Sequence, residues 1–291
     1  MRLSTTLGIH CKSSGKKDKH YSYEDSIRIC LDSGYKVLDI SFSSHSAGAF
    51  RMNQPDWEQS VTQLKEFASA LGVEWSQGHA HYYGWETTPE SERGWQEELI
   101  RRSIIGAGIL GVKWLVIHPG SVHDDLGYSR EKSLEKNLKA FREYGELAAE
   151  HNVGIAIENM FDRGRIRRFG SMLDELLELH EMLDDPVRFG ICWDTGHAHL
   201  MGINQAEALQ RIGGRLKALH IADNRGEYDD HIPPYFGTIN WGPIMRTLED
   251  VGYKGDFTFE ILNLTKDLPR GLHQEAIEFT YRLGRFMLES V

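Results

Sequence analysis

Short β-rich runs alternate with longer amphipathic stretches along the whole chain, and this alternation restricts the fold more than any other feature of the sequence. Each run is mostly apolar and is bounded by glycine or polar residues, which is typical of parallel strands that are covered on both faces. The runs predict eight strands, at Leu3–Ile9, Tyr35–Phe42, Val73–His79, Trp114–His118, Gly154–Glu158, Arg188–Trp193, Leu216–Ile221 and Asp256–Ile261.

The stretches between the strands have the periodicity of amphipathic helices. In one of them Leu134, Leu138, Phe141, Tyr144 and Leu147 recur at steps of three or four residues, so these side chains share one helix face. No G-x-G-x-x-G motif follows the first strand, which disfavours an open dinucleotide-binding sheet. The sequence therefore predicts an α/β fold, a closed (β/α)₈ TIM barrel, and the absence of a linker-like tract predicts a single domain over residues 1–291.

Charge and cysteine content restrict the partners and the compartment. The chain carries 33 Lys plus Arg against 43 Asp plus Glu, a formal charge of −10, which argues against broad non-specific binding to nucleic acid or to an anionic membrane. No apolar run is long enough for a transmembrane helix, and the first residues lack the apolar stretch of a signal peptide. Cys11, Cys30 and Cys192 form no C-x-x-C pair and read as free thiols, so we expect a cytoplasmic protein.

Side chains that bind metals or move protons stand where the predicted strands end, or in the loops that follow. In a (β/α)₈ barrel these positions share one mouth, where the active site lies. Imidazole and carboxylate groups gathered there are typical ligands of Zn²⁺, Mn²⁺ or Co²⁺, and ionised carboxylates are almost never buried without a partner. We therefore interpret the set as a metal site. It comprises His79, His81, His118, Glu158, Asp194, His197, His220, Asp223, Asp229, Asp230, His231 and Glu260.

Six segments resemble the xylose isomerase-like TIM-barrel superfamily, which holds sugar and sugar phosphate isomerases and epimerases together with endonuclease IV. They are VIHPGS (116–121), IAIENM (155–160), CWDTGHAH (192–199), LHIADNRG (219–226), DDHIPPYFGTINW (229–241) and GYKGDFTFEIL (252–262). In the sugar-processing members one divalent metal is held at the ends of strands five to eight. The resemblance places that metal on Glu158, Asp194, His220 and Glu260.

The resemblance to endonuclease IV adds ligands for a larger metal cluster. The matching positions are His79, His118, His197, Asp229 and His231, so the resemblance implies one ion (Mn, Co, Mg or Zn) and allows up to three. Other segments separate the two classes. Residues 237–241 and 252–255 look like the sugar-processing members, and residues 42–46 do not match the nuclease. Conversely, His118-Pro-Gly-Ser, Asp229-x-His231 and Tyr82, at the position of an aromatic DNA contact, look nuclease-like.

The leading hypothesis is a divalent-metal-dependent sugar or sugar-phosphate isomerase or epimerase that works by proton transfer through an enediolate. Under this hypothesis Glu158 and Glu260 are the candidates for the proton transfer, and His197, Arg225, His81 and Trp241 are the candidates for substrate binding. The alternative is an endonuclease IV-like phosphodiesterase acting on abasic DNA, and a lyase or a non-catalytic sugar- or metal-binding barrel also remains open. We expect a small sugar or sugar phosphate as partner, no membrane, no nucleic acid under the leading hypothesis, and a homo-oligomer.

Four arginines lie in the loop that follows the fifth predicted strand, on the catalytic face. Arginine is suited to bidentate binding of phosphate or carboxylate groups. The cluster therefore fits a phosphorylated or acidic sugar or a phosphodiester, and a simple solvated loop is the alternative interpretation. The four are Arg163, Arg165, Arg167 and Arg168.

Overall fold

A computed structural model of the protein describes residues 1–11, 19–43 and 49–290, and an eight-stranded parallel sheet lies at its centre. All eight predicted strands are present, with ends that differ by a few residues from the sequence pattern. The strands are β1 (Arg2–Thr6), β2 (Val37–Ser41), β3 (Glu74–His79), β4 (Trp114–Ile117), β5 (Gly154–Glu158), β6 (Phe189–Asp194), β7 (Leu216–His220) and β8 (Asp256–Phe259).

The strands follow one another around a nearly closed barrel in chain order. Each strand from β1 to β6 pairs in parallel with the next, and β1 also pairs with β8, where Thr5 lies opposite Phe259. Between β7 and β8 a parallel bridge joins Ile221 to Phe259. There Ile221 N donates to Thr258 O at 2.8 Å and Glu260 N donates to Ile221 O at 3.0 Å. The predicted (β/α)₈ barrel is thus confirmed.

Helices cover the outside of the sheet. The helix α5 (Arg130–Glu150) shows why the predicted periodicity held: Phe141, Tyr144 and Leu147 are buried, while the intervening residues are mostly charged. No helix in the described ranges is long and apolar enough to cross a lipid bilayer. The helices are α1 (Tyr23–Asp32), α2 (Ala49–Met52), α3 (Trp57–Ala70), α4 (Glu90–Leu110), α5 (Arg130–Glu150), α6 (Leu173–Leu183), α7 (Thr195–Leu200), α8 (Gln205–Ile212), α9 (Trp241–Asp250) and α10 (His273–Glu289).

The inside of the barrel is layered by the two-residue period of its strands. Val116, Ala156, Cys192 and Ala218 form a small apolar cluster that is separate from the large core between sheet and helices. Each of them stands two residues before a predicted metal ligand on the same strand, and therefore faces the same side of the sheet. We call these four side chains the lower layer; it forms the floor beneath the candidate site.

Candidate metal centre

Four side chains at the ends of consecutive strands converge at the carboxyl mouth of the barrel. Glu158, Asp194 and His220 are the last residues of β5, β6 and β7, and Glu260 directly follows β8. Each offers one ligand atom, and these atoms all lie within 4.8 Å of one another. The first three are at most 1% exposed, and the Glu260 side chain is 14% exposed. The structure thus brings together the four residues predicted to hold one metal.

A second group shares Glu158 with the first. His79 and His118 each offer a nitrogen within 4.8 Å of a Glu158 oxygen and of each other. Glu158 Oε2 lies 2.9 Å from His118 Nε2 and 3.3 Å from His79 Nε2. Glu158 Oε1 instead lies 2.8 Å from His220 Nδ1. The two oxygens of one carboxylate therefore face different imidazoles, so Glu158 would be a ligand for a cation held by either group.

A third group lies on the other side of the mouth. Asp229 Oδ2 is 2.9 Å from His231 Nε2 and 3.6 Å from His197 Nε2. Asp229 and His231 stand in the loop between β7 and α9, and backbone hydrogen bonds of 2.8 and 3.1 Å between Asp223 and Ile232 tie this loop down. All nine predicted metal ligands therefore surround one mouth in three adjacent groups.

Three of the five imidazoles are anchored to the backbone through Nδ1. His79 Nδ1 lies 2.8 Å from Ala80 O, His197 Nδ1 lies 2.7 Å from Asn159 O, and His231 Nδ1 lies 2.9 Å from Glu260 O. A carbonyl oxygen only accepts, so each Nδ1 carries a proton, and Nε2 faces the carboxylates, where it holds a second proton or serves as a metal ligand. Backbone anchoring of the distal nitrogen is the common outer-shell contact of histidine ligands.

Burial and close charges shift the protonation of the site in opposite directions. Burial raises the pKa of Asp194 to about 7 and lowers the pKa of His118 to about 4. For His197 burial alone would lower the pKa, but the carboxylates of Asp194 and Asp229 raise it to about 9. Burial would likewise raise the pKa of Glu158, yet His220 and His118 hold it well below its usual range. Without a cation, protons must supply the positive charge that balances these carboxylates.

Unsatisfied oxygens show that this donor set fits a divalent cation. Asp194 Oδ2 and Asp229 Oδ1 are buried and have no hydrogen-bond donor among the described residues. A buried carboxylate oxygen without a donor is costly unless a cation contacts it. Oxygen and imidazole nitrogen ligands suit zinc, manganese or cobalt, and the carboxylates alone suit magnesium. The thiol of Cys192 also lies within 4.8 Å of ligand atoms of Glu158 and His220.

A polar framework fixes Asp194 at the end of its strand. Asn159 donates through Nδ2 to Asp194 O at 2.9 Å and accepts from Asp194 N at 2.6 Å. Asp194 Oδ1 caps α7 by accepting from His197 N at 2.7 Å. The Asp194-Thr-Gly-His197 spacing thus serves the fold and the site together, because one oxygen caps the helix while the other faces the metal group.

Asp39 belongs beside the site and was missed by the sequence analysis. It lies in β2, is 2% exposed, and its Oδ2 is 3.9 Å from His220 Nε2. Burial raises the pKa of Asp39 to about 7, although His220 opposes the shift. The available signal was a single carboxylate inside an otherwise apolar strand, which needs a buried partner.

A cavity of about 120 Å³ opens above the metal groups. Seven of the nine predicted ligands line it, and the other two, Asp194 and His220, lie beneath them. The lining also includes Tyr82, Phe161, Arg163 and Arg168, which come from the loops after β3 and β5.

Of the four predicted substrate-binding residues only His197 lines this cavity. His81 lies two residues beyond β3 and is buried behind it, with Nε2 2.5 Å from Gln96 Oε1. Trp241 is 2% exposed at the start of α9, where Nε1 donates to Asp223 Oδ2 at 3.0 Å. The Arg225 side chain is 64% exposed and lies 3.7 Å from Asp230. In this structure these three side chains contact the framework or solvent rather than the cavity.

Two sequence predictions fall partly outside the described residues. The segment 42–46, where the chain departs from the nuclease pattern, is described only through Ser43. The side chain of Cys11 is likewise outside, whereas Cys30 and Cys192 are free and buried.

Comparison with protein families supports the fold at the level of sequence. A family model described as the xylose isomerase-like TIM barrel matches residues 27–283. An uncharacterized protein of Methanocaldococcus jannaschii is 33% identical over 171 residues, 57% of each chain. A probable endonuclease 4 of Geobacillus sp. strain WCH70 is 31% identical over 254 residues, 82% of this chain and 80% of the relative. The chain spans only 57% and 55% of the first two curated relatives.

Solved structures resemble the whole chain at low sequence identity. A D-tagatose 3-epimerase-like protein superposes with a TM-score of 0.76 at 23% identity, covering 100% of this chain and 98% of the other. IolI protein with a binding zinc atom gives a TM-score of 0.78 at 18% identity, covering 100% and 99%. At these identities the likeness establishes the barrel architecture.

Proposed function

This chain belongs to the xylose isomerase-like TIM-barrel family, and from that premise we propose that it is a divalent-metal-dependent enzyme that isomerises or epimerises a sugar or sugar phosphate. One observation carries the proposal: Glu158 and Glu260 face the same small cavity from β5 and β8, in one compact group with Asp194 and His220. Two carboxylates beside a metal group are the apparatus for moving a proton next to a carbonyl.

Glu158, Asp194, His220 and Glu260 would hold the cation. When bound, a cation of manganese, cobalt, magnesium or zinc polarises the substrate carbonyl and the neighbouring hydroxyl oxygen. The buried Asp194 and His220 would act as fixed ligands, because they lie at the floor and do not reach the open part of the cavity.

The carboxylates would move the proton. One of them, Glu158 or Glu260, takes the proton from the carbon next to the carbonyl, and the C–H electron pair shifts to give an enediolate. Return of a proton to the former carbonyl carbon interconverts ketose and aldose. Return of a proton to the carbon that lost it, but on the opposite face, gives the epimer. Glu260 is the more accessible of the two, while Glu158 is enclosed by imidazoles.

The surroundings of the site agree with a small substrate. Seven of the nine predicted ligands line one cavity of about 120 Å³, which suits a small molecule better than a polymer. The formal charge of −10 repels a polyanion such as duplex DNA except where local cations intervene. The free, buried thiols of Cys30 and Cys192 fit a reducing compartment, and a cytoplasmic location is part of this proposal.

A second candidate, metal-dependent phosphodiester hydrolysis at abasic DNA, is favoured by the position of Glu158. Its two oxygens face separate donor groups, so residues for more than one cation are in place. Together such cations would provide a hydroxide nucleophile near neutral pH and neutralise the phosphate. The similarity to a probable endonuclease 4 supports the same reading.

Deuterium exchange separates the two candidates. The metal-loaded protein would be incubated in D₂O with a panel of ketoses, sugar acids and sugar phosphates, and in parallel with an abasic oligonucleotide. The isomerase or epimerase predicts exchange at a substrate C–H, abolished by Glu260→Gln. Nicking of the oligonucleotide without any sugar exchange, abolished by Asp229→Ala, would establish the nuclease instead.

Elemental analysis of the purified protein gives an independent measure. About one equivalent of manganese, cobalt or magnesium agrees with the leading proposal, and about three of zinc favours the second candidate. Asp229→Ala is the informative variant, because it removes the third group and leaves the four-residue group intact. We expect this variant to keep sugar exchange if the leading proposal is correct.

A further inference from the structure

The four arginines of the loop after β5 have different surroundings. Arg167 is part of the framework: its guanidinium lies 3.3 Å from Asp162 and 3.0 Å from Glu175, and it stacks over Tyr128 with Cζ 5.0 Å from the ring centroid. Its charge is therefore neutralised by carboxylates of the framework. Arg165 is exposed and does not line the cavity.

Arg163 and Arg168 line the cavity and form no ion pair with any described residue. Neither guanidinium has a carboxylate within 4.0 Å in the described part of the chain. Arg168 is half-buried, and its Cζ lies 5.9 Å from the centroid of the Phe161 ring. Burial lowers the pKa of Arg168, and the charge of Arg163 lowers it further. Two neighbouring cations without a counter-ion would be stabilised by an anion between them.

The loop that carries these two side chains is held firmly. Arg163 and Ile166 exchange backbone hydrogen bonds of 3.0 and 2.9 Å around a turn that contains Gly164, whose φ is +59°. Asp162 Oδ1 accepts from Arg168 N at 2.9 Å and from Ser171 Oγ at 2.6 Å. The backbone is thus fixed in a way that turns Arg163 and Arg168, but not Arg165, toward the metal groups.

We propose that Arg163 and Arg168 bind an anionic group of the substrate, a phosphoryl or a carboxylate group, while its reacting carbons lie against Glu158 and Glu260. This assignment rests on the function proposed above and narrows its substrate class to phosphorylated or acidic sugars. A guanidinium forms paired hydrogen bonds with either group, which a neutral hydroxyl cannot match. The arginines also explain how an anion could enter a cavity whose floor is rich in carboxylates.

Binding measurements test this assignment without requiring turnover. Calorimetry would compare inorganic phosphate, fructose 6-phosphate, fructuronate and fructose, in metal-loaded and in chelator-treated protein. The variants are Arg163→Ala, Arg168→Ala and the double variant, with Arg165→Ala as the matched control in the same loop. Thermal denaturation verifies that each variant is folded.

We expect each cavity arginine to contribute roughly tenfold to the affinity for an anionic probe. The double variant should lose that affinity in chelator-treated protein as well, and Arg165→Ala should keep it. Arg168→Lys should restore only part of it, because lysine supplies the charge but not the paired donors. A preference for phosphate over fructuronate, or the reverse, identifies which anionic group the site takes.

Equal binding by the wild type and the double variant, or no binding of any anionic probe, would overturn the assignment. It also falls if fructose binds as tightly as fructose 6-phosphate. These outcomes differ from a failure of the proposed function. If anion binding depends on the arginines but no sugar shows C–H exchange, the anion site stands and the isomerase or epimerase is rejected. If neutral sugars show exchange that neither arginine affects, the isomerase or epimerase stands and the anion site is rejected.

Discussion

Two layers of side chains inside the barrel come from the same four strands and their ends, two residues apart. One layer is apolar and the other carries imidazole and carboxylate groups, although both are largely buried. The lower layer consists of Val116, Ala156, Cys192 and Ala218, all 0% exposed. The upper layer consists of His118, Glu158, Asp194 and His220, of which the last three are at most 1% exposed. Burial stabilises the lower layer directly, since apolar surface leaves water. For the upper layer the same burial is costly unless charges are matched, so it is maintained by mutual neutralisation and by what the site binds.

The largest expected effect comes from the shared carboxylate of the upper layer. Glu158→Gln removes a ligand common to two groups and one member of the proton-transfer pair, so we expect loss of bound metal and a fall in turnover of at least about 100-fold. Elemental analysis and the C–H exchange rate measure the two effects. Full metal content with normal exchange in this variant would show that the upper layer is structural, like the lower one.

Metal removal should expose the charge imbalance of the upper layer as a pH dependence. The pKa of His197, raised to about 9, exceeds its unfolded value near 6.5, so the folded state holds the proton more tightly and this stabilisation is present below pH 6.5. It is lost as pH rises toward 9. The chelator-treated protein should therefore melt at lower temperature at pH 9 than at pH 7. The metal-loaded protein should lose less, because a cation replaces the proton. Parallel melting curves for both forms would contradict this.

In the lower layer the expected effect is on stability alone. Val116→Ala deletes two buried methyl groups and leaves a space, which costs about 2 kcal/mol of unfolding free energy. Urea denaturation of the chelator-treated protein measures the loss. Metal content should remain that of the wild type, and a drop in it would mean that the floor positions the ligands above it.

The smallest effect is expected outside both layers. Trp241→Phe removes the hydrogen bond to Asp223 but keeps most of the buried ring, so the variant should lose about 1 kcal/mol of stability. Its KM for the sugar should not change, because Trp241 does not line the cavity. A several-fold rise in KM would show instead that Trp241 contributes to substrate binding.

The gathering of ligand residues at one mouth was the part of the site that the sequence could predict. Strand ends are visible as apolar runs that stop, and the polar residue at each stop is then placed at one mouth by the barrel topology. The contact of His79 with His118 and the position of Glu158 between two groups were not predicted, because they depend on side-chain directions within the mouth.

Side-chain contacts within the loops at the mouth could not be predicted. Arg167 differs from its neighbour Arg168 because it pairs with the carboxylates of Asp162 and Glu175. Trp241 is likewise held in a buried position by its hydrogen bond to Asp223. Arg225, which was predicted to bind substrate, does not line the cavity, because its side chain lies beside Asp230 and in solvent. The position of each of these side chains is determined by its hydrogen-bond and ion-pair partners, and such contacts leave no periodic pattern in the sequence.

The shared position of Glu158 has a consequence for how such a barrel can diversify. Because one carboxylate contacts two neighbouring donor groups, a cation held by one group would also occupy a donor that the other needs, so the two groups would not bind cations independently. A descendant that exchanged His79 and His118 for other residues would still keep a complete four-ligand centre. The number of ions, and with it the chemistry, could therefore change in two substitutions while the scaffold stayed the same.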